Sequence, residues 1–153
     1  MKKPLLINFQ LHTNDNGVLC AYETGKSVPF VINRVFTVSA LKDEIRGNHA
    51  HKECSQLLVC VSGKINVICD DGLQITEYKL ASMGEGLFIP HSIWAHNEYL
   101  EESSVLMVLC DRGYEESDYI RDYDKFKTYV LSLIHISEPT RLLSISYAVF
   151  CLK

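Results

Sequence analysis

Arg46-Gly47-Asn48-His49-Ala50-His51-Lys52-Glu53-Cys54-Ser55-Gln56 runs without a break into Leu57-Leu58-Val59-Cys60-Val61-Ser62-Gly63. The second run is apolar, rich in β-branched residues and closed by a Gly-containing turn, which predicts a strand. On an extended chain side chains alternate with period two, so His49 and His51 share a face; on a helix they would diverge. Two readings of an isolated His-x-His stay open at this point. The histidines face one pocket together, or they sit in solvent on an edge strand.

The flanking sequence supplies more strands. Leu5–Phe9 reads as a first one, Asp15-Asn16-Gly17 as a turn into Val18–Glu23, and Val28–Val38 as a strand with Pro29 near its start, where a missing donor is tolerated. Arg34 lies in that apolar company and needs a partner. Downstream, Ile65–Cys69 joins Leu73–Tyr78 through Asp70-Asp71-Gly72, a hairpin signal. Leu87–Pro90, Ser92–Ala95 and Ser104–Cys110 follow at nearly even spacing. Such a series packs as an all-β sandwich or small barrel. The period changes only near the end: Tyr119, Ile120, Tyr123, Phe126 and Val130 recur at helical spacing, which predicts a closing helix or pair of turns with Ser117 as its cap.

Composition describes one domain with a formal net charge of -4 and no dense Lys/Arg run, which argues against nucleic acid and anionic membranes as partners. The N-terminal apolar run is broken by Asn8 and Gln10 and is too short for a signal peptide, so a cytoplasmic location is expected. The six cysteines form no Cys-x-x-Cys pair and lie mostly in apolar runs, as free thiols do.

Residues 131–153 stand apart. Leu131–Arg141 and Ile145–Leu152 resemble translated sequencing adapter, with Leu142-Leu143-Ser144 where a variable index would lie. The expected division is a domain over 1–130 and a non-native tail over 131–153. Without the tail the chain has 13 basic and 18 acidic residues. A domain lost beyond the junction is compatible with this reading.

His49-x-His51, then Gln56, then Gly63 resembles the first motif of the cupin superfamily, with Gln where a metal-binding member has Glu. Gly84–Pro90 with Ser92, Trp94 and Ala95 resembles the second motif, Ser92 replacing a usual Gly and Ala95 standing at the last metal-ligand His. His96 is one residue out of register and on a strand faces the other way. With two of four ligands lost, no catalytic metal and no other cofactor is expected. His49 and His51 are left as acid–base candidates, since an unperturbed imidazole titrates near ~6.5.

A narrower resemblance covers nearly all of 1–130. Val28–Val35, Arg46–Lys52, Leu87–Pro90 with Trp94, and Tyr114–Phe126 are similar to the nucleotide-sugar 3,4-ketoisomerases, the WxcM-like branch of the cupins. This implies an all-β cupin jelly roll, or double-stranded β-helix, with a short C-terminal helical segment. It further implies a homodimer that moves the keto group of a dTDP-linked 4-keto-6-deoxy sugar from C4 to C3 without metal, for surface polysaccharide synthesis. Asn16 and Ala95 depart from residues common in relatives, which leaves the exact sugar open. Catalysis is expected of His49 and His51. Substrate contacts are expected of Arg46, Arg34, Gln56 and Trp94, each with a bland alternative: an ion pair for Arg46 with Glu44 or Glu53, a buried structural pair for Arg34, a strand cap for Gln56, core packing for Trp94. Rival functions are a nucleotide-sugar 3,5-epimerase, a metal-dependent cupin oxygenase and a non-catalytic sugar-binding cupin.

Overall fold

In a computed structural model that describes residues 2–136, the strands follow the turn signals. They are β1 (Leu5–Asn8), β2 (Leu11–Asn14), β3 (Gly17–Cys20), β4 (Arg34–Ser39), β5 (Ile45–His51) and β6 (Gln56–Ser62). Then come β7 (Ile65–Asp70), β8 (Ile75–Leu80), β9 (Glu85–Ile89), β10 (Trp94–Tyr99), β11 (Val105–Cys110) and β12 (Tyr119–Ile120). One sheet has the order β1-β9-β6-β11-β4 and the other β12-β5-β10-β7-β8, while β2 and β3 pair as a separate hairpin. Neighbours are antiparallel, and the two sheets face one another without closing into a continuous hydrogen-bonded ring.

Period-two alternation decides what lies between them. From the first sheet Leu58, Cys60, Leu87, Leu106 and Val108 point inward; from the second come Ile65, Val67, Cys69 and Tyr99. The opposite face of the first sheet, with Leu57, Val59 and Leu109, is covered by Phe9, Val28, Phe30 and Ile32. Residues 28–33 therefore form an apolar cover, and the expected strand over 28–38 begins only at Arg34. Leu73 and Gln74 likewise fall outside the strand, because their N–H groups donate to the Asp71 carboxylate and prolong the turn.

The C-terminal segment differs most from expectation. A 3-10 turn, Glu116–Asp118, leads into β12 on the edge of β5, and an α-helix, α1, occupies 123–136. Its cap is Asp122, whose Oδ1 accepts the Lys125 N–H at 2.9 Å, and not Ser117. Phe126 and Val130 of α1 close over Ala50, Trp94 and Ile120. Trp94 is thus on the outer face of β10, packed 5.7 Å between ring centroids from Phe126. The physical reason is parity: Ala95, its neighbour, faces inward. At the far end of α1 Ile134 packs on the same cluster, and the residues of the adapter-like tail beyond 136 lie outside those described.

Trp94→Ala should therefore act on stability: the loss expected is about 3–5 kcal/mol in a denaturant unfolding curve. Trp94→Phe should recover much of it.

Candidate active site

β5 does not run regularly. Gly47 and Asn48 both have left-handed backbone, with φ of 96° and 58°, and the pairing to β10 slips between Ala95 and His96. This is a bulge of one residue. Its effect is to put Arg46, opposite Asn97, and His49, opposite Ala95, on the same inner face although they are three apart. Gly47 is needed here for space as well as for φ, since a Cβ would sit 3.1 Å from the Ala95 carbonyl oxygen. Arg46, His49, Gln56, Ala95 and Asn97 accordingly line one inner cavity with Phe36 and Tyr99. His96 lies on the outer face, 3.9 Å from the Glu98 carboxylate.

His51 ends the strand, and Asp118 meets it from the C-terminal segment. The Nδ1 of His51 and Oδ2 of Asp118 are 2.8 Å apart, both side chains more than nine-tenths buried. Asp118 also accepts the backbone N–H of Glu53 at 2.7 Å and of Cys54 at 3.3 Å. A carboxylate so held accepts only, so the imidazole carries its proton on Nδ1 and presents the Nε2 lone pair. That Nε2 is buried and has no protein partner, as is Nδ1 of His49. Both rings border the hollow that contains Gln56 and Ala95.

Tyr119 fixes the two rings. Its ring centroid is 5.0 Å from that of His49 and 4.4 Å from that of His51, and the histidine rings are 5.0 Å apart and perpendicular. Arg34 lies 4.5 Å above Phe36 and 5.1 Å from the centre of the Tyr114 ring, and the neighbouring Tyr119 hydroxyl holds its pKa up. It is thus a half-buried cation beside the histidines with aromatic partners in place of the expected ion pair. Arg121 covers the other side of Tyr119 at 4.3 Å and pairs with Glu116. Gln56 donates to the Cys110 thiol at 3.5 Å and stands in the cavity wall. Arg46 is exposed at the cavity mouth, and Glu53, one of its expected partners, pairs with Arg112. A wider hollow of about 560 Å³ lies outside Tyr119 and contains neither histidine.

Burial sets the charge state. It pushes His49 down to about 4, reinforced by the neighbouring His51 and opposed by the Gly47 backbone. His51 is also lowered, by burial, with the Asp118 hydrogen bond and charge working the other way. For Asp118 burial works upward, but the His51 contact and the two backbone N–H groups outweigh it and its carboxyl is lowered. At neutral pH the pair is therefore uncharged beside an ionised Asp118. The donor set does not suit a cupin-type metal: Gln56 offers a neutral amide, and Ala95 offers a methyl group opposite His49.

Asp118 is not among the candidate site residues of the sequence, and Tyr119 enters there only as part of a helical spacing. Asp118 is 67 residues from its partner, and the helical spacing around Tyr119 masks a strand.

Comparison with known proteins gives these features a class. A 3,4-ketoisomerase from Helicobacter canadensis superposes with a TM-score of 0.80 at 34% identity, over 83% of this chain and 96% of that one. QdtA, a sugar 3,4-ketoisomerase from Thermoanaerobacterium thermosaccharolyticum solved with TDP, gives 0.82 at 30% identity, over 85% and 96%. The fold is that of the cupin-like sugar 3,4-ketoisomerases. At 41% identity over 129 residues, the chain is also similar to the TDP-4-oxo-6-deoxy-alpha-D-glucose-3,4-oxoisomerase of Aneurinibacillus thermoaerophilus, covering 84% of this chain and 93% of that protein. The family model described as FdtA, WxcM-like, C-terminal, matches residues 2–131, and the chain belongs to this family.

Two titrations check the electrostatics. Proton NMR should give midpoints below 6.5 for both ring signals, and Asp118→Asn should move that of His51 further down, because the lost charge had raised it. For stability the sign is the same: between pH 6.5 and about 4 the unfolded chain binds more protons than the folded one, so stability should fall as pH drops through that window and be flat above it. Each tenfold loss of proton affinity on folding corresponds to about 1.4 kcal/mol.

Proposed function

We propose that this protein moves the keto group of dTDP-4-keto-6-deoxyglucose from C4 to C3 by histidine-mediated proton transfer through an enediol(ate). The observation that carries this is the His51 Nε2: buried, unpartnered, and made a lone-pair acceptor by the Asp118 contact at Nδ1. In the proposed mechanism it takes the proton from C3. The imidazolium that forms is stabilised by Asp118, yet burial makes it a ready acid for returning the proton at C4. His49, which burial keeps neutral, passes the hydroxyl proton released at the C3 oxygen to the C4 oxygen as the carbonyl moves. Arg46 at the cavity mouth meets the developing enolate oxygen or the diphosphate as a fixed cation. Gln56 contacts the sugar from the wall, and Arg34 acts on it through Tyr119. The isomerase of Aneurinibacillus thermoaerophilus and the TDP complex of QdtA support the substrate class.

The same reading includes a cytoplasmic homodimer serving polysaccharide synthesis. Supporting it, Leu5 and Leu6 of β1 and Val18 and Leu19 of β3 leave apolar surface exposed, and no helix among the described residues is long and apolar enough to cross a membrane. Residues 131–153 are proposed to be foreign to a domain of 1–130. Resequencing of the source locus should then show other codons or a stop near Val130, and genomic continuity through Lys153 would contradict it.

The test of function is incubation with dTDP-4-keto-6-deoxyglucose in deuterated water, followed by NMR. A 3-keto product with solvent exchange at C3 and C4 is expected. His51→Asn and His49→Asn should each slow it by about 10²–10⁴-fold or more. Exchange at C5 would indicate epimerisation, and binding without exchange a sugar-binding role.

A further inference from the structure

His51 has two faces, and beside the Asp118 contact at Nδ1 lies a thiol, that of Cys54, which proton transfer does not use. The Sγ of Cys54, a ring nitrogen of His51 and a carboxylate oxygen of Asp118 all lie within 4.8 Å of one another, and the His51 nitrogen that faces Asp118 is Nδ1. Their residues are 6%, 7% and 9% exposed. This is a thiol, an imidazole and a carboxylate, the three ligand types of tetrahedral zinc sites. A cation bonded at about 2.0–2.3 Å to such ligands sets them about 3.3–3.6 Å apart. The 2.8 Å between Nδ1 and Oδ2 would open by about half an ångström, and Cys54 would close in. Asp118 would keep its Oδ1 contact to the Glu53 N–H. The small hollow beside His49 and His51 reaches Cys54 and gives an approach. This position differs from the cupin metal site, which would use the inner faces of the rings and the places of Gln56 and Ala95.

We infer that Cys54, His51 and Asp118 form an inhibitory site for a thiophilic divalent cation such as Zn2+, which switches off His51 by exchanging its tautomer. The proton balance gives the mechanism. Zinc bonds to the Cys54 thiolate, and the thiol proton leaves to solvent. It bonds to Nδ1 of a neutral imidazole, so the proton that Nδ1 had given to Asp118 moves to Nε2. One proton is released per ion, and the nitrogen that had offered a lone pair now carries N–H. The base is lost without the ion bonding to the ring nitrogen that faces the sugar. A hard cation such as Mg2+, which prefers oxygen ligands in octahedral geometry, would not compete for this set.

The inhibition arm rests on the proposed isomerase activity, and the binding arm does not. The full chain is titrated with Zn2+ and Mg2+ while turnover of the 4-keto sugar is followed. Co2+ then replaces Zn2+ so that thiolate-to-metal charge-transfer absorption can be read. Expected are one zinc per chain, one proton released as judged from binding heats in buffers of different ionisation enthalpy, and at least tenfold inhibition reversed by a chelator. Cys54→Ser and Cys54→Ala should keep their turnover without zinc, lose the cobalt band and need at least tenfold more zinc for inhibition. An undiminished cobalt band in both variants, equal zinc sensitivity, or equal inhibition by Mg2+ would overturn the inference. A Cys54-dependent band in a chain without isomerase activity would support the site and contradict the proposed function.

Discussion

The contact between Asp118 and His51 joins the two parts of the molecule that the rest of the structure has to bring together. One carboxylate receives an imidazole N–H and the backbone N–H groups of Glu53 and Cys54. The adjoining backbone adds Lys52 N–H to the Asp118 carbonyl at 2.9 Å. Without that carboxylate, several buried donors would lack an acceptor, at about 1–3 kcal/mol each. The contact therefore folds the end of β5, docks the C-terminal segment and chooses the histidine tautomer in a single arrangement.

Everything around it serves to hold β5 in place. On one side the bulge at Gly47 and Asn48 turns Arg46 and His49 to the cavity together. On the other, Ala50 is fully buried beneath α1, so the outer face of the same strand carries the packing of Phe126 and Val130. Ser92, at φ 68°, donates its N–H to the His51 carbonyl at 2.6 Å. A left-handed backbone at that position accounts physically for the glycine that the second cupin motif usually carries there. Tyr119 then fills the space against both rings, and its position follows from β12 pairing Tyr119 with His51.

Much of this was legible in the sequence, for reasons that differ by residue. Period two was sufficient to put His49 and His51 on one face and His96 on the other. The same parity places Trp94: if Ala95 faces inward, its neighbour packs on the outer face. Arg46 reached the cavity through a bulge, an irregularity that Gly47-Asn48 permits but does not announce. Asp118 was out of reach because it depends on a tertiary contact across 67 residues. The spacing of Tyr119, Ile120 and Tyr123 imitated a helix, and the cap that marks its actual start, Asp122, is one of several acidic residues in the segment.

Chemically, the consequence is a neutral, buried pair with the His51 lone pair aimed inward. Burial lowers both imidazoles, and Asp118 restrains that effect at His51 alone, so two residues of one type acquire different work. The central claim concerns a single proton, and nitrogen-15 NMR of the ring nitrogens of His51 at neutral pH reads it directly. The account predicts a protonated Nδ1 and an unprotonated Nε2. A signal showing the proton on Nε2, or a doubly protonated ring at pH 7, would contradict it.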